Sequence, residues 1–478
     1  MKILNIVFAA FTMFMVTSCT NGFEEINTNN NSPIDVQPEL LLRNVLWDYN
    51  ENMAYEGFVS GGLLSQHFTA VDFNLFDRHS LLEPQFGGNP WPIMYSNLRN
   101  NEIVLTKSLE NPTFEVYEGP ARIMKAFISG ELTDMFGDIP YSEAVNGKGG
   151  TLNPKYDAQE DIYLAEGGII DNLEKGIEAI DAYQGNIPLD GDIIDAGDLS
   201  QWRRLANSLL IKAYMRISDV ADFSSELEAI FSEGDYIQDG IDDAVFNFTD
   251  GAPNNFRMAT ARIGDFNVYV MSETSEEILK AYDDPRIAKF FRPTESDPSD
   301  FKGLLNGPDA SMTTTTIADL SLAGTVFREN TGLLKANVMT SWETNLFLAE
   351  AALKGMISGD AQALYELGVT QSFNYWEVEM PNDYFSGLAA FSPVDGLEKI
   401  ITQKWMSSYT DGFEGWIEFR RTGFPALKTV SASLNDDLIP VKMPYPFNEA
   451  ALNTLQFEAV TAALGGNSIN APVWWDIN

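Results

Sequence analysis

The sequence predicts a mainly α-helical protein, built from tetratricopeptide-like helical hairpins with long irregular insertions and a little β-structure. Three observations lead there. Apolar residues recur three and four apart along several segments, the spacing of one helix face. Alternation of apolar and polar residues, the mark of a half-buried strand, is scarce. Gly, Pro, Asn, Asp and Thr gather in a few long stretches between the periodic segments.

Taken in order, Glu115 to Phe136 carries Met124, Ile128, Leu132 and Met135 on one face, and Gly137 and Pro140 end it. Ile169, Leu173, Ile177 and Ile180 form a second stripe. Leu205, Leu209 and Met215, with Trp202 ahead of them, form a third. Leu346, Ala349, Ala352 and Leu353 make a small-residue stripe stopped by Gly355, and Leu364, Leu367 and Gln371 to Trp376 supply its partner. The last stripe is Leu397, Ile401, Trp405 and Tyr409, ahead of Asp411-Gly412. Ala244 to Phe248 is the best short strand candidate. Trp202-x2-Leu205-Ala206 resembles the opening of a tetratricopeptide repeat, where a bulky, a leucine and a small residue let paired helices pack. No regular period of about 34 residues accompanies it. A solenoid-like scaffold with insertions at 56–92, 181–201, 250–275 and 292–332 fits better. Loops of that length are uncommon in a compact domain unless they carry function.

Composition narrows the function. Apolar residues make up 45% of the 478 and charged residues 21%, an ordinary globular mix. The single cysteine, Cys19, excludes a disulfide framework within the chain. Two histidines, His67 and His79, exclude His-rich metal sites and restrict triad chemistry to themselves. A formal charge of -39 repels phosphate backbones, which argues against nucleic acid as a partner.

The N-terminus reads as an address. Lys2 is followed by a mostly apolar run from Ile3 to Val16, too short to span a bilayer and suited to a secretory leader. Val16-Thr17-Ser18-Cys19 then reads as a bacterial lipobox, in which the Cys19 thiol accepts the diacylglyceryl group and becomes the new N-terminus. The competing reading is an ordinary leader with a chance cysteine. Acyl chains contribute about 0.8 kcal/mol per buried CH₂, so several hold a protein on a membrane. Thr20 to Pro38, rich in Asn, Thr, Ser and Pro, reads as a tether. The expected organisation is therefore a leader at 1–18, a lipid-anchored stem at 19–38 and one helical body at 39–478.

Motifs for chemistry are few. The chain has no GxxxxGK[ST], CxxC, HExxH or GxSxG. No cofactor is expected. Asp190-Gly191-Asp192-Ile193-Ile194-Asp195 looks faintly like a calcium loop, but Ile194 and Asp195 stand where that loop needs an oxygen ligand and a glycine. It leaves room for adventitious calcium and is otherwise a solvated acidic turn. Glu131/Asp134 and Glu414/Glu418 each share a helical face and could serve a glycosidase, against the plainer reading of capping and surface charge. Asp72, Asp77, Arg78 and His79 form a polar group in one aromatic-rich loop, a site or a hydrogen-bonded turn. Several aromatics fall in expected loops: Phe73, Phe76, Trp91, Phe256, Phe266, Tyr269, Phe301 and Phe327. Flat rings stack on the apolar faces of sugars while Asn, Asp and Arg bind the hydroxyls. Asn74, Asn89, Asn254 and Asn255 lie among them. The candidate ligand residues are thus Asp72, Phe73, Asn74, Arg78, Trp91, Asn254, Phe256, Tyr269 and Phe301.

Blocks along the whole mature chain carry a family resemblance. They begin with Cys19, Phe23-Glu24-Glu25-Ile26-Asn27-Thr28 and Asn31-Ser32-Pro33, then Trp91-Pro92-Ile93-Met94-Tyr95-Ser96-Asn97-Leu98. The most specific runs from Leu132-Thr133-Asp134-Met135-Phe136-Gly137-Asp138-Ile139-Pro140-Tyr141 to Ala144. Ala206-Asn207-Ser208-Leu209 with Arg216, Leu346 to Ala352 with Glu350, Tyr365-Glu366-Leu367-Gly368, and Gln403-Lys404-Trp405 follow. Glu418-Phe419-Arg420-Arg421-Thr422-Gly423-Phe424-Pro425 and Val473-Trp474-Trp475-Asp476 close the series. Together they resemble the SusD/RagB-like outer-membrane lipoproteins of Bacteroidetes, closest to the second SusD-like subgroup. The resemblance implies a helical scaffold and a lipid-anchored protein facing the cell exterior. It implies a non-enzymatic protein that caps a SusC-like TonB-dependent barrel, binds an oligosaccharide (a peptide in some relatives) and hinges as a lid. Family ligand residues lie in variable loops, so none transfers to a position here. A surface glycoside hydrolase and a purely structural adaptor are the rival classes.

Overall fold

Helices account for about 51% of the chain and strands for 6%, so the class is mainly α. A computed structural model describes residues 35–81, 87–309 and 315–477. The leader, Cys19 and the stem up to residue 34 lie outside the described residues. Pro38–Asn478 forms one compact unit.

The scaffold helices are α1 Pro38–Glu56, α2 Trp91–Glu110, α3 Glu118–Phe136, α4 Ile169–Ala182, α5 Leu199–Arg216, α6 Ser341–Leu353, α7 Ala361–Tyr375, α8 Gly396–Ser407 and α9 Gly412–Thr422. Each of α1 to α5 packs on the next, α5 packs on α6, α6 on both α7 and α8, and α8 on α9. This is the stacked-hairpin logic that Trp202 and Leu205 suggest, and both side chains are fully buried. The stripe Met124, Ile128, Leu132 and Met135 is likewise fully buried. In α7 the buried row is Tyr365, Val369 and Phe373 rather than Leu364 and Leu367, and Leu367 is 44% exposed. Two helices lie where no stripe was legible. α1 starts on Pro38, whose missing N–H costs nothing at a first helical position. α2 fills part of its inner face with Asn97 and Asn101, whose amides donate to Ile93 O at 2.9 Å and Ala121 O at 2.7 Å.

Short ribbons tie the insertions down. β1 (Phe68–Ala70) pairs antiparallel with β5 (Tyr269–Met271), β2 (Ile139–Pro140) with β3 (Tyr156–Asp157), and β4 (Ala244–Asn247) with β6 (Lys335–Met339). A π-helical turn, Gly57–Gly61, follows α1. Its glycines let two backbones touch: a Cβ on Gly61 would meet Phe413 N at 2.4 Å, and one on Gly412 would meet Gly62 N at 2.3 Å.

Four of the aromatics expected in open loops, Phe256, Phe266, Tyr269 and Phe327, form a second core around Phe58 instead. Phe58 lies with its ring centroid 4.8 Å from Phe68, 5.0 Å from Phe327, 5.2 Å from Tyr269 and 5.9 Å from Phe256. Phe256, Phe266 and Phe327 are fully buried. Irregular backbone leaves the chain path unpredictable, yet rings this large still leave water wherever neighbours allow.

The paired carboxylates are not surface charge. Glu131, Asp134, Glu414 and Glu418 are buried at the centre of the scaffold. Lys212 Nζ lies 3.1 Å from Glu131 and 3.2 Å from both Glu343 and Glu414. Arg216 reaches Asp134 at 2.9 Å, Glu414 at 2.7 Å, and also Glu418. Arg421 bridges Glu350 at 2.6 Å and Glu418 at 2.8 Å, and Lys404 adds 3.0 Å to Glu418. Burial alone would raise Glu414, but Arg216, Lys212 and Lys404 hold it down to about 2. The ions therefore bolt α3, α5, α6, α8 and α9 to one another.

Candidate functional site

The 71–81 loop leaves the Ala70 end of the β1–β5 ribbon and is organised by one carboxylate. Asp77 Oδ2 accepts from Thr69 Oγ1 at 2.7 Å, Ala70 N at 3.1 Å and Gly307 N at 2.7 Å, and Oδ1 accepts from Asn306 Nδ2 at 2.7 Å. The Asp77 group is thus a hydrogen-bonded turn. Asn74 Nδ2 donates to Pro308 O at 2.5 Å and Arg78 Nε to Ala432 O at 2.7 Å, so both serve as framework. Asp72 and Phe73 remain at the tip. Phe73 is 51% exposed, with φ +48°, and its N–H donates to Asp72 Oδ1 at 2.8 Å.

A second loop lies across the outer face of α1. Trp47, Glu51 and Tyr55 are four apart and share that face, opposite the buried Leu42, Val45, Leu46 and Tyr49. Trp47 Nε1 donates to Asn254 Oδ1 at 3.1 Å. The Arg257 guanidinium sits 4.4 Å from the Tyr55 ring centroid, a cation–π contact. Trp47 and Tyr55 are half-buried and Arg257 exposed, so the group keeps aromatic and polar surface partly open to solvent. Val71 N donates to Val268 O at 2.9 Å, which joins the two loops at one end of the ribbon. Trp47, Tyr55, Asn254 and Arg257 thus form a ledge, and the loop that carries Asp72 and Phe73 is tied to the loop of Asn254 and Arg257 by that backbone bond.

The structure redistributes the sequence candidates. Asn254 lies in the ledge, and Phe256 and Tyr269 support it from the buried aromatic core. Phe301 is half-buried near the opposite end of the ribbon, where Leu304 N donates to Met271 O at 3.0 Å. Trp91 is not a loop residue. It opens α2 and is buried among Tyr95 at 4.8 Å, Phe136 at 4.9 Å and Tyr445 at 5.9 Å. Pro90 and Pro92 made that stretch read as a loop, although proline is well accommodated at a helix start. Trp47, Tyr55 and Arg257 escaped sequence reasoning. The available signal was a tryptophan and a tyrosine eight residues apart on a polar helix face.

The remaining chemical candidates are engaged elsewhere. His67 is fully buried between Trp405 and Tyr409, with Nδ1 2.9 Å from Ser65 Oγ and Nε2 2.8 Å from Trp405 O. Burial pushes it down to about 3, and His79 down to about 4, so both are neutral and out of reach of substrate. In the acidic turn, Asp192 accepts from the backbone of Ile194, Asp195 and Gly197 and from Trp202 Nε1. No group of three or more His, Cys, Asp or Glu placed to hold a metal occurs among the described residues. Burial, with Asp192, Asp198 and Asp242 nearby, pushes Asp195 up to about 8. A carboxyl raised on folding contributes stability that is complete below its unfolded pKa and is lost as pH climbs through the folded one. Asp195→Asn should therefore stabilise the protein by about 1–3 kcal/mol near pH 8 and not near pH 4. Melting curves across that range check it; a pH-independent difference would show that Asp195 ionises freely.

Comparison with known proteins gives the context. The family model described as "Starch-binding associating with outer membrane" (SusD-like) matches residues 29–446. No curated protein matches the chain. Among solved structures, a SusD homologue from Bacteroides fragilis is 26% identical, with TM-score 0.77 over 92% of this chain and 99% of that one. A chitin-binding protein superposes with TM-score 0.78 at 24% identity, over 92% of this chain and all of its own. A chitin-binding SusD homologue from Flavobacterium johnsoniae gives 0.75 at 23%, over 91% and 99%. A match over most of the sequence, reached independently of the ledge, settles the kinship: this chain belongs to the SusD-like family of starch-binding proteins that associate with the outer membrane.

Proposed function

We propose that the protein captures an oligosaccharide at the cell surface and delivers it, as a lid, to a SusC-like TonB-dependent barrel in the outer membrane. Cys19 is the lipid attachment point in this reading. The observation that carries it is the ledge, where Trp47 and Tyr55 offer ring surface beside the hydrogen-bonding Asn254 and Arg257. Such a surface binds reversibly through stacking and hydroxyl contacts. The two carboxylate pairs that a hydrolase reading would recruit are buried and ion-paired, which supports binding without bond chemistry. Two structural relatives are described as chitin-binding, so N-acetylglucosamine oligomers head the panel to be titrated.

Calorimetry of the mature protein against neutral oligosaccharides and peptides tests the reading. Trp47→Ala and Tyr55→Ala should each weaken saccharide binding about tenfold, roughly 1.4 kcal/mol, with little change in melting temperature. Trp91→Ala should lower the melting temperature and leave affinity intact. Absence of saccharide binding, or turnover of the sugar, would refute the assignment. Co-purification with a barrel after mild membrane extraction tests the partner.

A further inference from the structure

A groove lined by none of the ledge residues lies elsewhere on the molecule. It runs between α2 and the 140–148 segment and encloses about 880 Å³, the size of a site for a small oligomer. Its charge runs against that of the molecule. The chain has 30 Lys and Arg against 69 Asp and Glu, yet Arg99, Lys107, Lys125 and Lys148 line this groove against only Glu102 and Glu110. Glu102 is already paired with Lys125 at 3.0 Å. A local excess of cations in a strongly acidic protein focuses an anion there.

The walls carry further recognition chemistry. Ser129 lines the groove, is fully buried, and its Oγ has no hydrogen-bond partner. A buried hydroxyl without a partner costs free energy until a ligand supplies one. Tyr141 is held in place: its hydroxyl donates to Gly167 O at 2.5 Å and accepts from Asn172 Nδ2 at 3.3 Å. Leu98, Ile103 and Val145 add apolar wall. Val145 is a β-branched residue with φ +53°, the kind of backbone strain that collects at ligand clamps.

We propose that this groove is a second binding site, for a carboxylate-bearing (uronic acid) oligosaccharide. The cations meet the carboxylates, Ser129 meets a hydroxyl, and the tyrosine and aliphatic walls meet ring faces. The saccharide class rests on the function proposed above; the site and its preference for negative charge do not.

The probe is a short galacturonate oligomer, titrated beside a neutral oligosaccharide of equal length and a glutamate peptide of equal charge. The double variant Arg99→Glu/Lys148→Glu alters two exposed side chains, and its unchanged melting curve certifies the fold. It should lose uronate affinity about tenfold or more while neutral-sugar affinity stays constant. Raising salt should weaken uronate binding selectively. Uronate binding that is indifferent to this variant, or lost instead in Trp47→Ala, overturns the groove site and leaves the ledge reading standing. Equal binding of the glutamate peptide overturns the saccharide preference. Failure of every sugar to bind overturns the proposed function together with this inference.

Discussion

Arg216→Met should cost about 3–5 kcal/mol of stability near neutral pH, because it removes the cation that three buried carboxylates share. Arg216 is 1% exposed and makes charge-assisted bonds to Asp134, Glu414 and Glu418 on α3 and α9. None of the three can turn to water. Arg216→Lys should rescue little, since one ammonium cannot satisfy three acids arranged around a planar fork. The pH dependence identifies the mechanism. Glu414 is held at about 2 in the folded state, below its ordinary 4.5. A carboxyl depressed on folding contributes stability that is present above the unfolded pKa and lost as pH falls through the folded one. The gap between wild type and Arg216→Met should thus be widest near neutrality and narrow below about pH 4.5 as the three acids protonate. Arg203→Met provides the contrast. That arginine pairs with Asp181, Glu233 and Asp235 nearer the surface, where such a loss amounts to about 1 kcal/mol or less. Chemical denaturation of the three proteins near pH 7 and pH 4 decides it. Equal losses for Arg216 and Arg203 would mean that the buried ions do not bolt the helices together.

That network also explains what the sequence could and could not reveal. The stripes of α3, α5 and α8 were legible because a helix that buries one face repeats its apolar residues locally. α2 was hidden because Asn97 and Asn101 occupy inward positions, where their amide NH2 groups find backbone acceptors. The acids at 131, 134, 414 and 418 showed their own spacing, but apart from Arg421 beside Glu418 their partners stand farther along the chain, 81 residues away for Glu131 and Lys212. Nothing local distinguishes them from surface charge. The family blocks, by contrast, fall on this framework: Asp134, Arg216, Glu350, Lys404, Glu418 and Arg421 are members of the ion network, and Trp475 Nε1 donates to Asp134 at 2.8 Å. Resemblance therefore read the scaffold and was silent about the ledge. The ledge is assembled from α1 and a loop some 200 residues later, so only the folded chain brings Trp47 to Asn254.

Asp77→Ala should do locally what Arg216→Met does globally. Asp77 is 1% exposed and accepts four hydrogen bonds from the β1 end and the 306–307 turn. Removing it leaves four donors unsatisfied, each worth about 1–3 kcal/mol if it stays dry. The chain can avoid most of that cost by letting the 71–81 loop detach and admitting water, so the loss should appear as local opening. Amide exchange should accelerate from Ala70 to Ser80 and around Gly307, while α3, α5 and α9 keep their protection. Saccharide affinity should fall because the loop of Asp72 and Phe73 no longer ties down the loop of Asn254 and Arg257. Asp77→Asn should be intermediate, since its carbonyl keeps some acceptor capacity while its amide faces donors. Arg216→Met, assayed where it is still folded, should bind sugar as wild type does. If Asp77→Ala opens the loop by exchange and affinity is unchanged, the 71–81 loop takes no part in binding, and the ledge stands on α1 and the 249–268 loop alone.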